Sequence, residues 1–335
     1  MTSLNKSVSQ PPIHIKTYGP NGFLKSYIRD YMVIESDLER ENRILPNSSL
    51  VLSFRIRGNV DITEQSKENR VPVLGIAGLR KNSRLIRYSR DSSMFLVNFQ
   101  EGRAANFFKI PMNELFGMNV SLDRLLPKSL TSEIEEKLSD SRTNEGRIKI
   151  IEEFLLSLIK ESKTDLLVFE TIKRIRNTNG NLKIRELIQG MPISRDSYEK
   201  RFRQTVGTSP KQFANLLRMK SLIERYSPFR TLTDIGYEAG YFDQAHFIKD
   251  FRSFTGLAPK DFFRTPSLWY FSDFLQFGFL ISVYSDFQKE DQNAENFHRQ
   301  IYRTRTFEGR ILSKRQDQPR VYQNSSRVHS RFRIY

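Results

Sequence analysis

The 335-residue chain contains no cysteine, one tryptophan and only four histidines. Without cysteine it can form no disulfide, no thiolate metal site and no cysteine nucleophile. The histidines stand far apart, at positions 14, 246, 298 and 329. A metal centre needs several such ligands close together, so we expect no bound metal and no other cofactor.

Long apolar runs are also missing. The longest apolar stretch, residues 268–284, is interrupted by Asp273 and by three uncharged polar residues, which makes it too short and too polar to span a membrane. The first twelve residues, MTSLNKSVSQPP, lack the apolar core of a signal peptide. The sequence therefore predicts a cytoplasmic protein with no membrane contact.

Positive charge is abundant and unevenly placed. The chain has 54 Lys and Arg against 38 Asp and Glu, a net charge of +16. Residues 168–265 hold 18 basic and 10 acidic residues, a net of +8, which is half of the excess in less than a third of the chain. Such a surface favours an anionic partner, with nucleic acid as the leading candidate. A merely solubilising surface is the alternative.

The first hundred residues have the periodicity of strands. Leu50, Leu52, Phe54 and Ile56 alternate with other residues, as in a strand with one buried face. Similar short runs occupy 13–18, 27–34, 71–79, 84–88 and 94–99. Several short strands separated by turn residues predict an antiparallel sandwich or barrel.

After Gln100 the pattern becomes helical. The predicted helices cover 102–108, 111–116, 130–138 and 146–160. In the last of them Ile148, Ile151, Leu155 and Leu158 share one face, because they are spaced three and four apart. Ile150, Phe154 and Ile159 widen this face. It packs either on its own domain or against a second copy in a dimer.

The organisation is therefore α+β in three parts. Residues 1–164 form a strand-rich domain that ends in helices, with a polar boundary at 161–165. Residues 165–265 form an all-α domain. Residues 266–335 form a tail that is first aromatic and then basic, and its second part lacks the apolar pattern of a folded core.

A helix-turn-helix is predicted at about 231–256. A short helix capped by Thr231 ends at Gly240, and Asp243 caps a second helix. Phe247, Phe251 and Phe254 place one face of that second helix inside. A tight glycine-containing turn followed by a helix with a polar outer face is typical of this motif.

A second unit of the same plan is predicted at about 182–207. A short helix leads through the turn 190–192 to a helix capped by Ser194 and ended by Gly207. Ser209-Pro210 then starts a joining helix of about 17 residues, roughly 26 Å long. The two second helices could then lie about one DNA turn apart, roughly 34 Å.

At these residues the chain resembles the AraC/XylS family of bacterial transcription regulators. The resemblance covers about 169–263 and is carried by four segments: Phe202–Phe213, Leu232–Tyr241, Asp243–Arg252 and Phe254–Pro259. Phe99–Ala104 more weakly resembles a turn in the N-terminal domain of one subgroup. The resemblance implies a regulatory domain with cupin-like strands in residues 1–164, two helix-turn-helix units joined by a helix in residues 165–265, and no enzymatic activity.

The resemblance also implies partners and site residues. The implied partners are double-stranded promoter DNA, RNA polymerase, a small-molecule effector bound in residues 1–164, and a second copy in a homodimer; the implied role is that of an activator. The family's base-reading positions fall on Asp196, Glu199, Lys200, Gln244, Ala245, His246 and Lys249. The expected phosphate contacts are Arg195, Arg203, Lys211 and Arg252.

Several of these positions carry alternatives. Glu199 either accepts from cytosine or pairs with Lys200 or Arg203 at the surface, and two acids make the first unit atypical. His246 contacts a base, bonds a phosphate or is buried. The 70-residue tail is either an added interaction segment or the product of an altered reading frame, the second being favoured.

Two other functions compete with DNA binding. A metal-dependent enzyme on the strand-rich domain needs clustered histidines, and His14 is the only histidine before His246. A protein-interaction module with a degenerate first helix-turn-helix predicts no DNA sequence preference.

Overall fold

The computed structural model describes residues 13–64, 67–159, 165–189, 193–226, 232–241, 243–264 and 269–270. Its strands are β1 (His14–Tyr18), β2 (Ile28–Ser36), β3 (Arg40–Ile44), β4 (Val51–Arg57), β5 (Val60–Glu64), β6 (Lys67–Arg70), β7 (Leu74–Ala77), β8 (Arg84–Tyr88), β9 (Ser92–Phe99), β10 (Asn119–Ser121) and β11 (Trp269–Tyr270). Its α-helices are α1 (Lys128–Asp140), α2 (Asn144–Leu158), α3 (Leu166–Asn177), α4 (Ile184–Ile188), α5 (Arg195–Val206), α6 (Pro210–Arg225), α7 (Leu232–Glu238), α8 (Gln244–Thr255) and α9 (Pro259–Arg264).

The strands form two sheets. One has the order β1-β2-β9-β4-β7-β10, and the other has the order β11-β3-β8-β5-β6. All pairings are antiparallel except that of β11, whose backbone lies parallel to β3. The expected antiparallel strand-rich domain and the α+β class are confirmed. Apart from the two residues of β11, the predicted tail lies outside the described residues.

The central strands of the first sheet, β2 and β9, are largely buried on both faces. On β2, Met32 packs in the apolar cluster shared with the second sheet, whereas Tyr31 belongs to the larger core that includes the helices. The Tyr31 hydroxyl donates to Glu152 of α2 (3.1 Å), and Phe54 of β4 meets Phe154 of α2 edge-on. Burial on both faces explains the uninterrupted apolar run Tyr31–Ile34 in the middle of β2.

Helix α2 packs on its own domain. Ile148, Ile151, Leu155 and Leu158 are all buried within the chain, as is the core residue Phe154. Packing of α2 on its own domain, the first of the two alternatives, therefore accounts for its apolar face. Burying each such side chain contributes about 1.5–3 kcal/mol.

Two predicted helices are wrong. Residues 102–108 and 111–116 contain only 3₁₀ turns, at Arg103–Asn106 and Met112–Leu115. The adjacent residues Phe107 and Phe108 are both buried. Consecutive side chains of an α-helix point in different directions, so a surface α-helix would not bury both Phe107 and Phe108. The irregular backbone found here places both side chains in the core.

Five of the described strands were not predicted: β3, β5, β6, β10 and β11. Strand β3 has the sequence RENRI, in which four of the five residues are polar or charged. Its pairing with β8 rather than its own composition makes it a strand.

Candidate nucleic-acid interface

The second helix-turn-helix consists of α7 and α8. The carboxylate of Asp243 caps α8 by accepting from the backbone N–H of Ala245 (2.8 Å) and of His246 (3.3 Å). Gly240 ends α7 in the left-handed conformation. Phe247, Phe251 and Phe254 are buried, as predicted from their spacing. The predicted cap at Thr231 lies outside the described residues.

The first unit consists of α4 and α5 and follows the same plan. Ser194 caps α5 by accepting from the N–H of Ser197 (3.3 Å), and Gly207 ends it. Tyr198 and Phe202 are fully buried. The predicted turn at 190–192 lies outside the described residues.

The joining helix α6 has 16 residues, which corresponds to about 24 Å. The Ser209 hydroxyl caps it by accepting from the N–H of Gln212 (3.2 Å). Tyr241 connects α6 to the second unit. The guanidinium of Arg218 on α6 lies 4.5 Å from the centre of the Tyr241 ring, and the Tyr241 hydroxyl donates to Asp250 on α8 (3.1 Å). Burial raises the pKa of Tyr241. The hydroxyl is protonated at neutral pH even at the ordinary tyrosine pKa of about 10, so it can donate to Asp250.

Most of the predicted base-reading side chains are exposed on the N-terminal halves of α5 and α8. The exposed ones are Asp196, Lys200, Gln244, Ala245, His246 and Lys249. Glu199 is half-buried. In a helix-turn-helix the N-terminal residues of the second helix are those that contact base edges, so both exposed halves are suited to that role.

Glu199 is held by two arginines. Its Oε1 lies 3.2 Å from Nε of Arg195, and its Oε2 lies 3.5 Å from Nη2 of Arg203. The surface pairing considered as an alternative is therefore present, with Arg195 and Arg203 as partners rather than Lys200. The two expected phosphate contacts share this carboxylate, which lowers the positive charge that the first unit offers.

His246 is also engaged. Its Nε2 lies 3.5 Å from Oδ2 of Asp250, and its ring packs edge-on against Tyr241. By contrast, Lys249 and Arg252 are exposed and have no ion-pair partner among the described residues. On α8 these two cations are thus the ones available to a nucleic acid without breaking an existing contact.

The glycines that end α5 and α8 both lie against the strand-rich domain. Gly207 has φ +98°, and a Cβ there would lie 3.3 Å from the carbonyl oxygen of Met112. Gly256 has φ +84°, and a Cβ there would lie 2.7 Å from Nη1 of Arg43. Glycine at these ends permits both the left-handed cap and the close approach.

The loop before β8 makes the contact with α8. The backbone N–H of Ser83 donates to the carbonyl oxygen of Phe254 (3.0 Å), and the Ser253 hydroxyl donates to Asn82 (3.2 Å). Arg43 of β3 reaches the hydroxyl of Ser83 (3.4 Å). Sequence reasoning missed these residues, since nothing in a polar loop indicates a partner 171 positions away.

The first unit is fixed through α3. Glu101, only 8% exposed, accepts from Arg176 of α3 (2.7 Å) and from the Ser48 hydroxyl (3.1 Å). Asp165 caps α3 at Val168 (3.2 Å) and also accepts from Arg201 of α5 (2.7 Å). The turn at 99–104, noted for its weak family resemblance, therefore contacts α3 of the helical region.

Neither a metal-binding cluster nor a membrane-spanning helix occurs among the described residues. In these residues no group of three or more His, Asp or Glu side chains is placed to hold a metal ion. Within the same residues no helix combines the length and the apolarity needed to cross a membrane.

Comparison with known proteins adds two family matches. A family described as a helix-turn-helix domain matches residues 187–265, and a family described as a domain of unknown function, DUF6597, matches residues 16–121. The chain is 26% identical over 156 residues to the Msm operon regulatory protein of Streptococcus mutans. That alignment covers 45% of this chain and 55% of the relative, so the chain spans about half the length of the curated relative it matches.

Among solved structures the chain is similar to ToxT from Vibrio cholerae, with 11% identity, a TM-score of 0.38, and coverage of 75% of this chain and 97% of that one. It is also similar to the AraC-like transcriptional activator CuxR, with 11% identity, a TM-score of 0.23, and coverage of 67% and 91%. At these scores no residue role is transferred from either protein.

Proposed function

Because this chain belongs to the AraC/XylS family of transcription regulators, we propose that it is a sequence-specific DNA-binding regulator that reads two successive major grooves. The observation that supports this best is the shared arrangement of α5 and α8. Each has an exposed polar N-terminal half and a C-terminal end held against the strand-rich domain. Such an arrangement presents two reading surfaces from one chain.

Helix α8 supplies the main base contacts. Gln244 suits adenine, Lys249 suits guanine, and the Ala245 methyl suits the thymine methyl. Arg252, near the C-terminal end of the same helix, contacts phosphate and so positions the helix without reading sequence. His246, whose Nε2 lies 3.5 Å from Oδ2 of Asp250, has a secondary role.

Helix α5 reads with Lys200 and Asp196. Glu199 remains a candidate for cytosine N4, in competition with its two arginines. Arg195, Arg203 and Lys211 complete the phosphate contacts. The first unit then contributes less discrimination between bases than the second.

The joining helix supports binding by one chain. Its length of about 24 Å, with the flanking turns, is compatible with reading surfaces one helical turn of DNA apart, roughly 34 Å. Successive major grooves on one side of the duplex are then reached together.

Residues 1–164 form the regulatory part of this proposal. They bind a small-molecule effector, and contacts with a second copy and with RNA polymerase convert DNA binding into activation. The effector acts through the contacts that tie this domain to α5 and α8.

The proposal is tested with the full chain and a pool of random duplex DNA. We expect an enriched bipartite sequence, with affinity falling steeply as salt rises. Lys249→Ala should relax the preference at one base pair, whereas Arg252→Ala should weaken all sequences alike. Binding without sequence preference would contradict the proposal and favour a protein-interaction module.

A further inference from the structure

The second helices of the two helix-turn-helix units, α5 and α8, can be aligned residue by residue. Each has 12 residues and runs from a capping side chain to a left-handed glycine. The fourth residue is a buried aromatic in both helices, Tyr198 in α5 and Phe247 in α8. The fifth residue is therefore the same structural position in the two units. It is Glu199 in α5 and Ile248 in α8.

Ile248 is an apolar side chain on a polar surface. It is 38% exposed, and over the described length of α5 and α8 it is the only large hydrophobic residue so exposed. It belongs to neither apolar cluster of the described residues, so packing within the chain does not account for it. Isoleucine also has a lower helix propensity than alanine, glutamine or lysine, so helix stability does not account for it either.

The neighbours of Ile248 on the helix are side chains proposed to meet DNA. Gln244 lies one turn before it and Arg252 one turn after it, because residues four apart on a helix are neighbours. Lys249 follows it directly, and all three of these side chains are exposed. A duplex that contacts both Gln244 and Arg252 therefore also covers Ile248. None of the base-reading positions implied by the family resemblance falls on this residue.

The charges around Ile248 favour DNA over a protein as its partner. Its exposed charged neighbours, Lys249 and Arg252, are both positive. The nearest acid of the helix, Asp250, is partly buried and accepts from the Tyr241 hydroxyl. In the major groove the apolar group that the bases present is the C5-methyl of thymine. An exposed aliphatic side chain between cations matches that methyl group.

We propose that Ile248 is a specificity-determining residue that packs on the C5-methyl group of a thymine in the half-site read by α8. At the same position of α5, Glu199 presents a carboxylate, which does not favour a methyl group. The two half-sites therefore differ at the equivalent base pair, and the chain binds its site in one orientation. The inference rests on the DNA-binding function proposed above and adds a residue to it.

The test uses the full chain and the duplex that is enriched from random DNA. In the half-site whose preference Lys249→Ala relaxes, each thymine is replaced in turn by deoxyuridine, which lacks only the C5-methyl group. We expect one position at which the replacement lowers the affinity of the unchanged protein about fourfold, the effect of one buried methyl group. Ile248→Ala should show no such fall at that position, whereas a thymine that contacts Ala245 should remain sensitive in this variant.

A converse measurement restores the methyl group on another base. The sensitive thymine is replaced by cytosine or by 5-methylcytosine, each paired with guanine. The methyl group should raise the affinity of the unchanged protein about fourfold and leave that of Ile248→Ala unchanged. Leu156→Ala, at a side chain of α2 that is 49% exposed, is the matched control and should retain both responses. Thermal unfolding of each variant checks that it is folded.

The possible failures can be told apart. If no thymine of this half-site responds to the loss of its methyl group, or if Ile248→Ala responds as the unchanged protein does, the inference is overturned while sequence-specific DNA binding stands. Equal weakening of all sequences by Ile248→Ala would assign the residue a structural role and would also overturn it. The absence of any enriched sequence would overturn the proposed function and this inference together.

Discussion

The hydroxyl of Ser253 donates a hydrogen bond to Oδ1 of Asn82, across 3.2 Å and 171 positions of sequence. Ser253 follows Arg252, a proposed phosphate contact, and precedes Phe254, whose carbonyl oxygen accepts from Ser83. The strand-rich domain thus contacts α8 immediately beside the part of the helix that we expect to touch DNA.

Removing this bond should loosen α8 without unfolding the chain. Asn82→Ala and Ser253→Ala should each lower the free energy of unfolding by about 0.5–1 kcal/mol, because the bond is neutral and exposed. The double variant should lose no more free energy of unfolding than either single variant does, as measured by urea unfolding in a double-mutant cycle. Fully additive effects would mean that the two side chains do not interact.

Gly256→Ala should disturb the same contact more strongly. A left-handed alanine costs about 1–2 kcal/mol, and its Cβ would displace the guanidinium of Arg43 from Ser83. Gly117→Ala is the control, since Gly117 has φ +74° and no atom within 4 Å of an added Cβ. Thermal unfolding should show a loss for both, whereas DNA affinity should fall only for Gly256→Ala.

Glu101→Gln should weaken the attachment of α3. It replaces a carboxylate that accepts from Arg176 and Ser48, and we expect a loss of about 1–2 kcal/mol, reduced because Arg176 is half exposed. Glu170→Gln breaks an exposed pair with Arg174 within α3 and should cost less than about 0.5 kcal/mol. Urea unfolding of the two variants measures the difference, and equal losses would remove the special role of Glu101.

Tyr198 should make the protein sensitive to alkali. Burial raises the pKa of Tyr198 to about 12, above the value of about 10 for an unfolded tyrosine. The folded state therefore binds the proton more tightly, and its stabilising effect, complete below pH 10, is lost as the pH rises towards 12. Tyr198→Phe should make the decline between pH 10 and 12 less steep, while Tyr237→Phe, at a side chain 62% exposed, should leave it unchanged.

The helix ends could be predicted because their signals are local. Ser194, Ser209 and Asp243 cap the helices that they were expected to cap, and Gly207 and Gly256 end them. Capping and left-handed termination depend on a few adjacent residues. The same locality explains why the buried faces of α5 and α8 were correct.

Neither the contacts between the domains nor the burial of polar side chains such as Asn42 could be predicted, because both depend on residues far away in the sequence. Asn42 lies in a polar segment that reads as a loop, and its burial depends on its pairing with Ile86 of β8. The pairing of Glu199 with Arg203 follows helical spacing and was one of the alternatives weighed from the sequence, whereas its pairing with Arg195 was not considered. The contact of Asn82 with Ser253 has no sequence signature at all.

Because the C-terminal ends of α5 and α8 both rest on the strand-rich domain, that domain sets the separation of the two reading surfaces together with α6. The protein would then discriminate between promoters by the number of base pairs between the two half-sites as well as by their sequence. A shift of one base pair turns a half-site by about 34° around the duplex, since a helical turn takes about 10.5 base pairs. The preferred spacing between the two half-sites would then depend on residues of the strand-rich domain that contact no base.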